Sequence, residues 1–347
     1  MKKLLALLFT MAMLCSFAIT ASASDFNFYG SLRFQTFSDD VSKEATGAGV
    51  SDQDTKWGTL GTSRLGAKIK LSDKITGMFE LGVGDENLTV RLFFGEYNFG
   101  AGKILIGQSG HPMGESFSSR VGMDDSGLLK YGVFYGGLVE MIKLTFGGFQ
   151  LYFIEPNINA DNDAWLDADT KLPQFAASYD LKYENFTFDI TGAYQSYEVE
   201  NHNNNTSFDV NSYLIRTGLK GEFGPLMLGA TFGWGENTSQ IGSSAIARPA
   251  AYTSDTENTI DSMGYTFVGA YKATDNLRFE AGYGYIKSEI NAIGAEDDAC
   301  SYYLQAGITI APGFVVTPEI GRVDYKSKQG IDEGDMTYFG AKWQIDF

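Results

Sequence analysis

The feature that most constrains this chain is an alternation of apolar and polar side chains with a period of two residues, repeated in sixteen segments of its 347 residues. Successive side chains of a β-strand point to opposite faces, so each segment predicts a strand with one apolar and one polar face. The predicted strands are 26–37, 60–71, 75–84, 87–98, 102–109, 138–146, 148–155, 173–180, 184–197, 208–220, 224–236, 260–273, 276–288, 299–310, 313–325 and 336–347.

The connections between these strands alternate in length. The short ones are 72–74, 100–102, 147–148, 181–185, 221–224, 273–276 and 311–313, and the long polar ones are 38–59, 110–137, 156–172, 198–207, 237–259, 289–298 and 326–335. The connection at 85–86 is the exception, because it is short where the pattern requires a long one. Short turns on one side and long loops on the other are typical of outer-membrane barrels. The chain is therefore predicted to be all-β, a transmembrane antiparallel β-barrel of sixteen strands with short periplasmic turns and long extracellular loops.

The two faces of the predicted strands differ sharply in charge. Segment 208–220 has Ile215 and Leu219 on one face and Arg216 and Lys220 on the other. The apolar sets of three further segments are Leu88, Val90, Leu92 and Phe94, then Leu277, Phe279, Ala281, Tyr283 and Tyr285, and finally Phe339, Ala341, Trp343, Ile345 and Phe347. A Lys or Arg facing lipid near the midplane costs roughly 2–4 kcal/mol, so the charged face is expected to line water. A soluble β-sandwich or propeller would also alternate, but it requires neither this charge nor the alternating connection lengths.

The first residues predict export. Lys2 and Lys3 precede an apolar run from Leu4 to Ile19, and small residues follow at 21–23. This order is typical of a cleavable signal peptide over residues 1–23, which leaves the barrel in residues 24–347; an uncleaved anchor helix is the alternative. Cys300 would then be the one cysteine left, so no internal disulfide is expected.

The charge balance is acidic. The chain has 26 Lys and Arg against 43 Asp and Glu, a net charge of −17. This excess argues against nucleic acid as a partner, because binding to phosphates requires a basic surface. It favours attraction of cations, so a mild preference for cations is expected of any pore the chain forms.

Three stretches and the last residue resemble the general porins of Gram-negative bacteria. The stretches are FNFYGSLRF (26–34), TSRLGAKIKLSDKITGMFELGVG (62–84) and RLFFGEYNFGAGKILIGQ (91–108), and the residue is Phe347, which resembles the C-terminal signal read by the outer-membrane assembly machinery. Gly107-Gln108 lacks the arginine of the family pattern. The resemblance implies a homotrimer in the bacterial outer membrane that carries small hydrophilic solutes and ions by passive diffusion.

The resemblance also implies that the loop at 110–137 folds into the pore and narrows it. Acidic side chains on that loop would then face a basic wall and set a field across the throat that selects by size and charge. The candidate residues are Arg33, Arg64, Lys68 and Arg91 on the wall and Glu115, Arg120, Asp124 and Asp125 on the loop. Trp343 and Phe347 are the candidates for contact with the membrane interface and for assembly.

Other functions are weaker interpretations of the same sequence. A channel specific for a sugar or a carboxylate and a non-conducting barrel that serves as adhesin or structural anchor remain alternatives. A barrel hydrolase would need His111 or His202 beside a serine and an acidic residue. Ser109 near His111 is weak support for such an arrangement, so no enzyme is predicted. The acidic runs 161–169 and 296–298 lack the order of an EF-hand, and no metal or cofactor is predicted.

Overall fold

The computed structural model describes residues 25–84, 87–114, 116–122, 124–157, 166–170, 172–201, 206–242, 251–253 and 256–347. Within these ranges sixteen strands form one barrel. They are β1 (Asp25–Val41), β2 (Asp52–Thr59 and Arg64–Lys70), β3 (Ile75–Val83), β4 (Leu88–Asn98), β5 (Lys103–Gly110), β6 (Leu138–Phe146), β7 (Phe149–Ile154), β8 (Gln174–Tyr183), β9 (Phe186–Asn201), β10 (Thr206–Phe223), β11 (Leu226–Glu236), β12 (Ile260–Thr274), β13 (Leu277–Ile290), β14 (Ala295–Ala311), β15 (Phe314–Asp324) and β16 (Asp335–Asp346). The predicted signal segment, residues 1–23, and the connection at 85–86 lie outside the described residues.

The barrel closes between its first and last strands. Each strand pairs antiparallel with its neighbours in sequence, and β16 pairs with β1 in a register that sets Phe34 opposite Trp343. At one end of this seam the Gly30 N–H donates to the Phe347 carbonyl (2.7 Å) and the Phe347 N–H donates to the Gly30 carbonyl (3.0 Å). Closure leaves no sheet edge, which is the condition for spanning lipid with strands. The predicted sixteen-stranded antiparallel barrel is confirmed.

The elements outside the barrel are short. They are α1 (Lys43–Thr46), the 3₁₀ turns Pro112–Gly114 and Thr238–Gln240, and the strand segments Leu166–Asp169, Ala251–Thr253, Thr256–Asn258, Ser327–Lys328 and Ile331–Asp332. None of the helices among the described residues has the length and apolar character needed to cross a membrane.

The outer surface carries the apolar faces of the strands. On β10, Ile215 is 49% exposed and Leu219 is 50% exposed, whereas Arg216 between them is 3% exposed and lies inside. On β16, Phe339 and Trp343 are likewise exposed, and Lys342 lies inside. In water such a continuous apolar surface would be unfavourable, but in lipid it meets hydrocarbon.

A β-bulge in β4 changes one predicted face. The pairing register between β3 and β4 shifts after Glu80, and Arg91 is the extra residue on β4. Beyond the bulge Phe93 points outward and is 68% exposed, while Phe94 packs against an apolar cluster inside the barrel. The prediction that Leu92 and Phe94 continue the outer face is therefore wrong, because one extra residue reverses every later side chain.

Several strands are longer than predicted. The loop expected at 38–59 is mostly a hairpin, because β1 continues to Val41 and pairs with Asp52–Thr59. The strands β9, β10, β13 and β14 likewise extend into the connections predicted at 198–207 and 289–298. Backbone pairing does not depend on apolar side chains, so polar strands continue beyond the lipid-facing band.

Candidate functional site

The loop at residues 110–137, called here the inward loop, runs inside the barrel. Its apolar side chains pack against inner residues of the wall: Phe134 lies against Gly233 of β11, and Leu128 clusters with Val268 of β12 and Tyr303 of β14. The backbone approaches β13 so closely that a Cβ on Gly284 would overlap the carbonyl oxygen of Tyr131. Glycine is the residue that permits this contact.

Two carboxylates of the wall hold the backbone of the inward loop. Glu280 of β13 accepts from Ser119 at both N–H (2.7 Å) and Oγ (2.8 Å). Glu319 of β15 accepts the N–H groups of Val121 (2.7 Å) and Gly122 (2.8 Å). Both carboxylates are buried. Hydrogen bonds to ionised acceptors are stronger than neutral ones, so these four bonds fix residues 119–122 against the wall.

Arg120 strengthens the same anchorage. Its Nε donates to the Tyr338 hydroxyl (2.9 Å) and its Nη1 to the Gly127 carbonyl (3.1 Å). The guanidinium also lies over the rings of Tyr131 and Tyr338, 5.3 and 5.4 Å from their centroids. With only 3% of its surface exposed, Arg120 lies between loop and wall. The structure therefore corrects the lumen-facing position expected for Arg120 and makes it a residue that positions the loop.

Asp125 at the tip of the inward loop contacts the neighbouring strands of the wall, β1 and β16. Its carboxylate receives Arg33 Nη1 of β1 and Lys342 Nζ of β16, each at 2.6 Å. The Thr62 hydroxyl donates to the same carboxylate (2.9 Å) from the interruption of β2 at residues 60–63. Asp125 and Arg33 are thus in direct contact and are not separated across an open throat.

A second carboxylate is surrounded by bases on the neighbouring wall. Glu80 of β3 accepts Arg91 Nε at 2.9 Å and the Tyr29 hydroxyl at 2.9 Å, and Arg64 Nη1 lies 3.6 Å away. Arg64 is also within electrostatic range of Arg33 and Asp125. The wall candidates Arg33, Arg64 and Arg91 therefore form one continuous group.

The remaining throat candidates are placed differently. Lys68 of β2 is exposed and makes no ion pair with any residue that the structure describes. Asp124 is 55% exposed at its side chain, with Arg120 Nη1 3.9 Å from its Oδ1. Glu115 lies outside the described residues.

Sequence reasoning did not assign Glu80, Glu280, Glu319 or Lys342 to the site. The alternation had placed Glu280 and Lys342 on the polar faces of their strands, so it indicated that they point inward. It carried no information on which inward residues the loop would contact. A Glu on the inward face of a strand, where a long loop can fold against it, is the signal that could have suggested an anchor.

Trp343 and Phe347 lie on the outer surface near the seam. The indole N–H of Trp343 donates to Thr36 Oγ1 (3.0 Å), and Phe347 is 74% exposed next to Gly30. Both rings are therefore available to the membrane interface, where amphipathic aromatic side chains are favourable.

His111 fixes the point where the inward loop leaves β5. Its Nδ1 accepts the Met113 N–H (3.2 Å), and its Nε2 lies 3.4 Å from Gln174 Oε1 on β8. Its backbone N–H donates to the Gly137 carbonyl (3.0 Å), which ties the two ends of the loop together. Burial lowers the pKa of His111 to about 4, although the Gln174 hydrogen bond opposes that shift. The ring is therefore neutral at physiological pH, with the proton on Nε2.

A family model described as Gram-negative porin matches residues 10–328. No curated protein matches the sequence.

Solved outer-membrane proteins share the fold. The outer membrane channel DcaP of Acinetobacter baumannii superposes with a TM-score of 0.73 at 15% identity, over 94% of this chain and 99% of that one. In vitro folded OmpT of Vibrio cholerae, solved in a trimer form, has a TM-score of 0.60 at 18% identity over 94% and 100%. An anion-selective porin from Comamonas acidovorans has a TM-score of 0.62 at 15% identity over 94% and 100%.

Proposed function

Because this chain belongs to the Gram-negative porin family and lies in the outer membrane, we propose that it is a passive diffusion channel for small hydrophilic solutes and ions. The observation that supports this proposal most directly is the inside of the barrel. Arg64 and Arg91 are partly exposed there and Lys68 is exposed, and exposed charge of this kind requires water. The inward loop would narrow this water-filled path and set the largest solute that passes.

Single-channel conductance of the refolded protein in a planar bilayer tests the proposal. We expect ohmic steps from protein shown to be folded by heat-modifiable gel mobility. Absence of steps from folded protein would contradict a channel and favour a closed barrel that acts as adhesin or anchor. Saturable block of the current by a sugar or a carboxylate would instead indicate a substrate-specific channel.

We also infer a homotrimer. The support is the trimer form in which a structural neighbour of this chain was solved. Channel closure in three equal steps, together with a gel band of three times the monomer mass before heating, is the expected result. Closure in one step and a monomer band would contradict it.

The outer-membrane assembly machinery is the proposed partner of the C-terminal residue. We expect Phe347→Ala to lower the amount of folded barrel in the outer membrane several-fold, because an exposed terminal aromatic group would be missing when the last strand is recognised. Phe339→Ala is the matched control, since Phe339 is also an exposed phenylalanine on the outer face of the last strand. Heat-modifiable mobility of outer-membrane fractions measures both variants, and equal yields would contradict a specific role for Phe347.

A further inference from the structure

We infer that the throat of this channel favours small organic anions, carboxylates above all, although the chain as a whole carries a net charge of −17. This inference rests on the proposed channel function and goes beyond it by naming the charge class of the solute. It opposes the mild cation preference expected from the composition.

The described charges where the loop tip meets the wall are mainly positive. Five bases lie there, here called the basic wall: Arg33, Arg64, Lys68, Arg91 and Lys342. Two described carboxylates, Asp125 and Glu80, lie among them. Arg120 lies between two further carboxylates, Asp124 and Glu319, so these three residues together add one negative charge. The described residues therefore leave two positive charges in excess at this level of the pore.

The carboxylates that anchor the inward loop do not reduce this excess further, because Glu280 pairs with Arg278 and Glu319 is already included in the count. Glu280 lies behind the loop, with Arg278 Nη1 2.7 Å from its carboxylate. Glu319 is 4% exposed and its oxygens are occupied by loop N–H groups and by the Tyr338 hydroxyl. A solute in the water-filled path meets the basic wall and not these buried acids.

One acidic run of the chain, residues 296–298, lies far from the throat. This run is on β14, and Gln305 of the same strand contacts the inward loop at Ser119. Asp297, in the middle of the run, lies eight residues before Gln305. Eight residues of strand span about 27 Å. Charges in physiological salt are screened beyond about 8 Å, so these distant acids contribute little to the field at the throat. Local charge and not net charge decides which ions enter.

The geometry of the basic wall fits carboxylates in particular. It already holds two of its own: Glu80 between Arg91, Arg64 and Tyr29, and Asp125 between Arg33, Lys342 and Thr62. Guanidinium groups recognise carboxylates with two parallel donors.

Donors for a passing solute remain on the same side chains. Arg64 makes one hydrogen bond, from Nε to the Thr62 carbonyl (3.2 Å), and Arg91 makes one, from Nε to Glu80. The terminal nitrogens of both side chains have no hydrogen-bonding partner among the described residues. With 26% and 23% of their side chains exposed, they are available to a passing carboxylate.

The zero-current potential across a bilayer with a potassium chloride gradient tests the inference. A potential of about one kT at the throat would give about a sevenfold preference for chloride over potassium. Lys68→Glu changes the charge by two units and so cancels the excess, and we expect the preference for chloride to disappear. Lys70→Glu is the matched control, because Lys70 is on the same strand and face but pairs with Asp73 at the exposed turn (2.8 Å). Its potential should stay close to that of the wild type.

Propionate and propylammonium, which are similar in size, test the solute class in the same apparatus. We expect propionate to be the more permeant ion and Lys68→Glu to reduce its advantage. Clear conductance with a cation-selective potential, or equal effects of Lys68→Glu and Lys70→Glu, would overturn the inference and leave the channel function intact. Absence of conductance would overturn the channel function itself.

Discussion

Replacing Glu319 with alanine should release the middle of the inward loop from the wall and change both the conductance and the stability of the barrel. The substitution leaves the buried N–H groups of Val121 and Gly122 without an acceptor. Each unsatisfied buried donor costs roughly 1–3 kcal/mol, so a loss of about 2–6 kcal/mol is expected if the loop stays in place. The loop can avoid this cost by moving into the lumen, where water hydrates it. We therefore expect larger open-channel current noise and a changed mean conductance.

Two further variants sharpen this test. Glu319→Gln keeps an acceptor oxygen and should produce a smaller change, which separates loss of the bonds from failure to fold. Glu222→Ala is the control, because Glu222 is exposed beside Lys220 (2.9 Å) and does not touch the inward loop. Heat-modifiable mobility identifies folded protein in each case. Folded Glu319→Ala with the noise and conductance of the wild type would show that the loop is held by other contacts.

Acid should destabilise the protein through His111. Burial lowers the pKa of this ring to about 4 in the folded state, whereas an unfolded histidine has a pKa of about 6.5. Above pH 6.5 both states are neutral and the ring contributes no pH dependence. Between pH 6.5 and pH 4 the histidine is protonated in the unfolded state and neutral in the folded state, so the free energy of unfolding falls as the pH falls. The shift corresponds to a loss of about 3 kcal/mol by pH 4.

The structure explains why the His111 ring stays neutral in the folded protein. Nδ1 accepts the Met113 N–H, so a proton on Nδ1 would place two N–H donors face to face and break this hydrogen bond. The ring is buried where the described polar neighbour of Nε2 is the uncharged Gln174, so no carboxylate compensates a positive charge. Protonation should therefore loosen the base of the inward loop before the barrel itself unfolds.

Urea unfolding in lipid vesicles at pH 7.5 and pH 4.5 measures this effect as the difference between wild type and His111→Gln. We expect the wild type to lose about 2–3 kcal/mol more than the variant over this interval. His202→Gln, at the chain's other histidine, is the control and should keep the pH dependence of the wild type. Equal pH dependence in wild type and His111→Gln would show that other groups cause the acid sensitivity.

Most of the barrel could be predicted from the sequence because its signals are local. A strand in lipid must alternate strictly, so Ile215, Arg216 and Leu219 show the orientation of β10 without knowledge of any neighbour. The same logic failed in β4, where the bulge at Arg91 reverses Phe93 and Phe94. A bulge depends on how two strands pair, and a single strand does not record it.

Some features of the candidate site could likewise be predicted from the sequence, and others could not. Its position in the chain and the inward direction of Arg33, Arg64 and Lys68 could be predicted, because they follow from the loop pattern, the family resemblance and the alternation. The pairing of Asp125 with Lys342 could not be predicted, since 217 residues separate them in sequence. Nor could the burial of Arg120, which depends on the rings of Tyr131 and Tyr338 meeting around it.

The sequence by itself thus determined that the chain is a closed membrane barrel, because pairing every backbone group in lipid leaves few solutions and each strand must obey them residue by residue. The tertiary structure alone decided how the inward loop is held and which charges remain free in the lumen. Those outcomes depend on distances between residues remote in sequence, because the charges nearest to a solute contribute most to the field that it meets.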